Sequence, residues 1–85
     1  MQSRHRKIKK RKILRKIDIL YKFVECVACR NKYCNGIKGL VVDKYEDTIE
    51  ILTIFGDIVK IRVDECWYYV RIKNFEYLIN PRQII

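Results

Sequence analysis

The four cysteines of this chain are the side chains that could do the widest range of chemistry, since they could bind a metal ion, form disulfides or remain free thiols. Four thiolates are the ligand count of a structural zinc site. Cys26 and Cys29, however, fall in a run typical of a β-strand, where residues three apart point to opposite faces and cannot bind the same ion. We therefore expect no metal site, and we interpret Cys26, Cys29, Cys34 and Cys66 as buried free thiols that pack like small apolar groups, with a disulfide as the alternative.

The groups needed for catalysis are scarce. The one histidine, His5, and Ser3 lie in a basic segment that offers no rigid element to hold a nucleophile beside a base. Most of the carboxylates lie at predicted turns, where acids accept local hydrogen bonds. They are not grouped at one site that could bind catalytic metal ions. We expect no catalytic residue, no cofactor and no small-molecule substrate.

Positive charge is concentrated near the N-terminus. Residues 1–22 contain ten Lys or Arg and one acid, whereas residues 23–85 contain nine bases and nine acids. A neutral body with a basic arm is typical of a protein that binds a polyanion, because counterion release dominates affinity for nucleic acid. A solubilising tail or a nuclear address is the simpler alternative. The polyanion contacts predicted in the arm, which would be RNA contacts in an RNA-binding protein, are Arg6, Lys7, Lys9, Lys10, Arg11, Lys12, Arg15 and Lys16.

The basic arm has the pattern of an amphipathic helix. It lacks Pro and Gly, and Ile13, Ile17 and Leu20 fall at helical spacing. We predict a helix from about residue 6 to residue 19, whose apolar stripe contacts either the body or a partner protein. A module that only binds protein through this stripe is a further possibility. We divide the chain into this arm, residues 1–20, and a β domain, residues 21–85.

The sequence after the arm reads as short β-strands separated by turns. Gly56-Asp57 is a hairpin signal, and the run that follows it alternates, with Val59 and Ile61 facing inward and Lys60 and Arg62 facing outward. Five or six such strands predict a mainly β fold, either a small closed barrel or a sandwich, and barrel closure would remove the sheet edges. The predicted strands are residues 21–28, 36–42, 48–54, 58–63, 66–72 and 75–79.

Basic residues of the body extend the predicted RNA contact. Arg30, Lys32 and Lys38 fall in loops at one end of the predicted barrel, where Gly36 and Gly39 would let the backbone approach a ligand closely. A second group of basic residues lies on two predicted strands and the turn after the second. If these strands were adjacent in the sheet, the group would form one basic face, and otherwise it belongs to an ordinary solvated face. This group consists of Lys60, Arg62, Arg71 and Lys73.

Three consecutive aromatic residues, Trp67, Tyr68 and Tyr69, lie in a predicted strand. Bases stack on exposed rings in RNA-binding proteins, so each ring is a candidate contact. The alternation of a strand places Tyr68 on the face opposite to its two neighbours. Core filling is the simpler interpretation for each ring.

A longer motif lies in residues 24–82. It begins with Asn35-Gly36-Ile37-Lys38-Gly39-Leu40-Val41-Val42-Asp43 and continues with Asp47-Thr48-Ile49-Glu50-Ile51. A hairpin, Gly56-Asp57-Ile58-Val59-Lys60, and the ending Leu78-Ile79-Asn80-Pro81-Arg82 complete it. This pattern resembles ribonuclease P protein component 1, a family of archaea and eukaryotes, over about two-thirds of the chain.

The resemblance implies an Sm-like or SH3-like antiparallel β-barrel of five to six strands with a basic N-terminal extension. It implies a non-catalytic subunit of the ribozyme that removes the 5′ leader from precursor tRNA. Its partners would be the catalytic RNA, with precursor tRNA nearby, and a small zinc-ribbon protein, and Arg82 would be the basic residue of the closing segment. The location would be cytoplasmic in an archaeon and nuclear or nucleolar in a eukaryote.

Other nucleic-acid-associated small barrels remain as the alternative class. These are ribosomal proteins, Sm-like proteins, and viral or chromatin DNA-binding proteins. No apolar run approaches the roughly 20 residues that a membrane-spanning helix needs, so we expect no membrane contact.

Overall fold

Six β-strands account for most of the regular structure. The structure is a computed structural model that describes residues 16–85. The strands are β1 (Phe23–Val27), β2 (Lys38–Tyr45), β3 (Thr48–Thr53), β4 (Ile58–Arg62), β5 (Trp67–Ile72) and β6 (Phe75–Ile79). Three short 3₁₀ turns, Lys32–Cys34, Val63–Glu65 and Pro81–Gln83, lie in the connections and after β6. The predicted mainly β class is confirmed.

The strands form a single antiparallel sheet in the order β4-β3-β2-β1-β5-β6. The strands β4 and β6 are its edges, and within residues 16–85 no ladder joins them, so the sheet is not closed into the predicted barrel. The 3₁₀ turns that follow the two edge strands, Val63–Glu65 and Pro81–Gln83, do contact each other. The ends of the two edge strands therefore come together without pairing.

Strand boundaries differ from the prediction by one to three residues, and two of the differences have a clear local cause. The first strand stops at Val27 because Ala28 adopts a left-handed backbone with φ of 50°. This conformation is rare in a residue with a side chain and ends the extended run. The fourth strand stops at Arg62 because Val63 begins a 3₁₀ turn.

Side chains alternate across the sheet, and one face forms the core. Ile51 on β3 and Val70 on β5 are fully buried, whereas Lys60 and Arg62 on β4 face solvent as predicted. Tyr68 is also fully buried, and its hydroxyl donates a hydrogen bond of 2.6 Å to the carbonyl oxygen of Val63. Burial raises the pKa of this hydroxyl, because the charged phenolate would lose its hydration. The predicted opposition of Tyr68 to its neighbours is confirmed.

The segment that precedes β1 belongs to the body. Ile17 forms a parallel bridge with Ile84, through hydrogen bonds from Ile17 N to the Gln83 oxygen (2.7 Å) and from Ile85 N to the Ile17 oxygen (2.9 Å). Ile17 and Ile19 are buried in the core, and Leu20 packs against it.

The predicted helix over residues 6–19 is therefore wrong for residues 16–19, and its residues 6–15 lie outside the described part. Of the two alternatives for the apolar stripe, contact with the body holds for Ile17 and Leu20, while Ile13 lies outside the described residues. The core includes Ile17, which precedes residue 20, the predicted boundary between the arm and the β domain.

Candidate nucleic-acid interface

A groove of about 460 Å³ lies at the end of the sheet where β5 begins. Arg30 comes from the connection after β1, Trp67 is the first residue of β5, and Arg82 lies in the last 3₁₀ turn. The lining is completed by Ala28, Asp64, Asn80 and Pro81. Three separate parts of the chain thus place two arginines and a tryptophan around one opening.

A covalent link fixes the positions of Arg30 and Trp67. A disulfide joins Cys29 to Cys66, the residues immediately before them in the sequence. The backbone N–H of Arg30 donates to the carbonyl oxygen of Glu65 at 2.8 Å, and Trp67 pairs with Val27 in the β1–β5 ladder. The backbone that carries Arg30 and the backbone that carries Trp67 are therefore both held in place.

Arg82 is positioned by a capped 3₁₀ turn. The side-chain oxygen of Asn80 accepts a hydrogen bond from the backbone N–H of Arg82 at 2.9 Å. The Gln83 side-chain oxygen accepts from the backbone N–H of Asn80 at 3.0 Å, and Pro81 fixes the first position of the turn. These local bonds explain why the chain turns sharply after β6 and presents Arg82 to the groove.

The charge of the groove is positive. Among residues 16–85, the ion pairs leave both Arg30 and Arg82 without a carboxylate partner. The one acid of the lining, Asp64, already accepts from the guanidinium of Arg62, at 3.3 Å from Nε. Asp64 therefore cancels Arg62 rather than either groove arginine.

The basic arm joins the body beside this groove. The ammonium of Lys16 donates to the backbone oxygen of Arg82 at 2.9 Å. Residues 1–15 precede Lys16 and contain eight Lys or Arg and no acid. The structure thus brings together Lys16, Arg30 and Arg82 of the predicted RNA contacts. The predicted contacts from Arg6 to Arg15 lie outside the described residues.

The second predicted basic group does not form one face. The strands that carry it, β4 and β5, are separated in the sheet by β3, β2 and β1. Each of its three strand residues also has a carboxylate partner on the body. The pairs are Lys60–Glu50 at 4.0 Å, Arg62–Asp47 at 3.0 Å and Arg71–Glu76 at 3.5 Å. The alternative of an ordinary solvated face, carrying charges of both signs, fits these pairs.

The remaining predicted contacts lie away from the groove. Lys32 is exposed, with its ammonium 5.8 Å from the ring centre of Tyr33, and Lys38 lines a separate cavity with Phe55. Gly39 is buried, and a Cβ there would overlap the backbone oxygen of Leu52, so its small size serves strand packing rather than ligand approach.

The cysteines adopt two of the states considered from the sequence. Cys29 and Cys66 form the disulfide, whereas Cys26 and Cys34 are free and buried. Burial, followed by the neighbouring Cys34 and Glu25, raises the pKa of the Cys26 thiol to about 12. The thiol therefore stays protonated and unreactive near neutral pH. Within residues 16–85, no group of three or more His, Cys, Asp or Glu side chains could hold a metal ion.

The exposure of Trp67 is the feature that sequence reasoning undervalued. We interpreted the ring as core filling, but 44% of the residue is accessible to solvent. Its parity with Arg71 on the outward side of β5 was the available signal, because outward residues of a one-layer sheet meet solvent.

Compared with known proteins, the chain matches no family model, and no curated protein matches it significantly. No helix within residues 16–85 is long and apolar enough to cross a membrane.

Proposed function

We propose that this chain is an RNA-binding, non-catalytic subunit of ribonuclease P, of the protein component 1 type. The observation that carries the proposal is the positive groove formed by Arg30 and Arg82 at the point where the basic arm joins the body. The sequence pattern of residues 35–51 and 78–82 supports the choice of family.

The physical argument starts from the division of charge. Residues 16–85 carry eleven bases and ten acids, so nearly all of the net charge of +9 lies in residues 1–15. An arm with that charge would release counterions from a phosphate backbone and supply most of the affinity. The body would then fix where the arm meets the RNA, through contacts at Arg30 and Arg82. Recognition of this kind reads RNA shape and backbone more than base sequence.

The barrel implied by the family belongs to this proposal. The convergence of the turns Val63–Glu65 and Pro81–Gln83, at the ends of the two edge strands, supports a sheet that curls toward closure. In such an assembly the protein would support the catalytic RNA during 5′ maturation of precursor tRNA, in the cytoplasm of an archaeon or the nucleus of a eukaryote.

The zinc-ribbon partner implied by the family needs an apolar surface on the body. Leu40, Leu52 and Ile58 lie side by side across β2, β3 and β4 on the outward face, and all three are exposed. An exposed apolar row of this kind is typical of a protein-binding surface. We assign this row to the partner protein, since Ile17 and Leu20 are used by the body.

A comparison of the full chain with residues 16–85 tests the role of the arm. Binding to a fluorescein-labelled structured RNA is measured by anisotropy at several salt concentrations. Removal of eight bases should weaken binding by orders of magnitude and reduce the slope of log K against log salt by several units, since each phosphate contact contributes about 0.7–0.9. Equal affinity and equal slope for the two proteins would contradict the proposal.

The identity of the RNA is tested separately. The protein is purified from its native source with bound RNA, and that RNA is sequenced. Recovery of the catalytic RNA of ribonuclease P supports the proposal, whereas recovery of ribosomal RNA or of duplex DNA favours the alternative small barrels.

A further inference from the structure

We propose that the groove at the start of β5, which we call the Trp67 groove, binds one unpaired nucleotide of the RNA. The base stacks on the indole of Trp67, and the attached phosphate lies between the guanidinium groups of Arg30 and Arg82. This inference rests on the proposed function and adds a defined site to it, because the arm alone would bind phosphate without distinguishing paired from unpaired nucleotides.

The indole is presented in a form that suits stacking. Trp67 is 44% exposed while its neighbour Tyr68 is fully buried, so the ring stands at the surface on a strand anchored in the core. The disulfide at Cys66 and the pairing with Val27 hold the backbone on either side of it. A ring on backbone that is already held costs less conformational entropy to order on stacking, and every base offers a flat face to it.

The two arginines add a site for an anion at the edge of the same opening. Arg30 and Arg82 come from different elements, and neither has a carboxylate partner within residues 16–85. A guanidinium group matches the geometry of phosphate oxygens and can donate two hydrogen bonds to them. A nucleotide carries a flat base beside an anionic phosphate. The groove offers an aromatic ring for the base and two cations for the phosphate.

The size of the groove suits a single nucleotide of the nucleic acid. Its volume of about 460 Å³ falls in the lower part of the range of roughly 300–1,000 Å³ that small ligands occupy. In a duplex, the bases are stacked on one another and their faces are inaccessible to a side chain. Only an unpaired nucleotide, in a loop, a bulge or a single-stranded end, can place its base on Trp67.

The first test uses the intrinsic fluorescence of the protein. Trp67 is the only tryptophan in the chain, so its emission reports directly on the groove. A short single-stranded RNA should quench the emission of the full-length protein, and a perfect duplex of the same sequence with blunt ends should quench it much less. Equal quenching by the two RNAs would overturn the proposal.

The second test removes the base from the ligand. An RNA hairpin with a short single-stranded loop is compared with hairpins that carry one abasic nucleotide at successive loop positions. One position should lower the affinity roughly 5- to 150-fold, which is the loss expected for one stacked base. A series in which no abasic position changes the affinity would overturn the pocket and leave the groove with phosphate contacts only.

The third test removes the ring from the protein. Trp67→Leu should lower the affinity for the loop RNA and abolish its sensitivity to the abasic position, whereas Trp67→Phe should retain both in part. Phe55→Leu is the matched control, because Phe55 is 85% exposed but lies in the hairpin after β3, outside the Trp67 groove. Circular dichroism and urea unfolding of each variant show whether it has folded.

The outcomes separate this inference from the proposed function. RNA binding that is tight and salt-dependent, but unchanged by substitution of Trp67 and by the abasic positions, would overturn nucleotide binding in the Trp67 groove. That result would leave the RNA-binding proposal in place. Failure of the full-length protein to bind any RNA overturns the proposed function, and the nucleotide pocket with it.

Discussion

At the residue scale, the cysteines have a structural role, and two of them form the disulfide beside the Trp67 groove. The disulfide Cys29–Cys66 links the connection after β1 to the start of β5, and the next residues along the chain are Arg30 and Trp67. The other two thiols are buried, and the high pKa of Cys26 keeps it from attacking the disulfide at neutral pH. The disulfide can therefore persist beside free thiols in the same small domain.

This arrangement predicts a definite thiol count and a loss of stability on reduction. A thiol reagent should find almost no reactive cysteine in the native protein, two after unfolding, and four after unfolding with reductant. The disulfide closes a loop with a sequence separation of 37 residues, so reduction should lower the free energy of unfolding by about 4 kcal/mol. Urea unfolding with and without a dithiol reductant measures that difference.

The double substitution Cys29→Ser and Cys66→Ser supplies the control for this measurement. Its stability should match that of the reduced protein and should not respond to reductant, since its remaining cysteines form no disulfide in the native fold. Four reactive thiols after unfolding without reductant would contradict the disulfide.

At the element scale, the position of each strand in the chain could be predicted from the sequence. Which strands lie next to each other in the sheet could not. Alternation and turn residues placed all six strands to within a few residues, because those signals are local. The order β4-β3-β2-β1-β5-β6 depends on contacts between distant residues, such as Val24 with Val70, which no local pattern encodes. For the same reason, the sequence left open whether the basic residues of β4 and β5 share one face, and the strand order shows that they do not.

The segment from Lys16 to Leu20 shows a second limit of local patterns. Ile13, Ile17 and Leu20 fit a helix by spacing, yet Ile17 pairs with Ile84 near the other end of the chain. Tertiary contacts override helix propensity when burial is at stake. Of the candidate site, the basic residues were predictable from composition, while the meeting of Arg30, Trp67 and Arg82 was not, because it depends on the disulfide and on the last turn.

The pairing of β2 with β3 predicts an unequal response of two glycines to alanine. A Cβ at Gly39 would overlap the backbone oxygen of Leu52, which cannot move without disturbing the ladder. Gly39→Ala should therefore lower the free energy of unfolding by about 3 kcal/mol or more. A shift of the urea midpoint, with circular dichroism to follow the sheet, measures this loss.

Gly36→Ala provides the comparison within the same motif. Gly36 has φ of +87°, but open space surrounds the position that its Cβ would take, so only backbone strain of about 1–2 kcal/mol is expected. An Ala at residue 39 that is tolerated better than one at residue 36 would contradict the close packing of β2 on β3.

At the scale of the whole molecule, the arrangement of charge matters more than its sum. On the outward face of the body, Lys60, Arg62 and Arg71 each face a carboxylate on the same or a neighbouring element. Such exposed pairs contribute little to stability, but they cancel the potential that an approaching polyanion would experience. Arg30 and Arg82, which have no carboxylate partner within residues 16–85, thus lie at the end of a nearly neutral body where Lys16 contacts Arg82.

Two double variants with the same change in net charge test this asymmetry. Arg30→Gln with Arg82→Gln removes the groove cations, and Lys60→Gln with Arg71→Gln removes two paired cations of the outward face. The groove variant should bind structured RNA about tenfold or more weakly, since charge-assisted contacts would be lost. The face variant should stay within about threefold, because its bases are already neutralised by Glu50 and Glu76. Anisotropy titrations at one fixed salt concentration compare them, and equal losses would mean that the RNA responds to total charge alone.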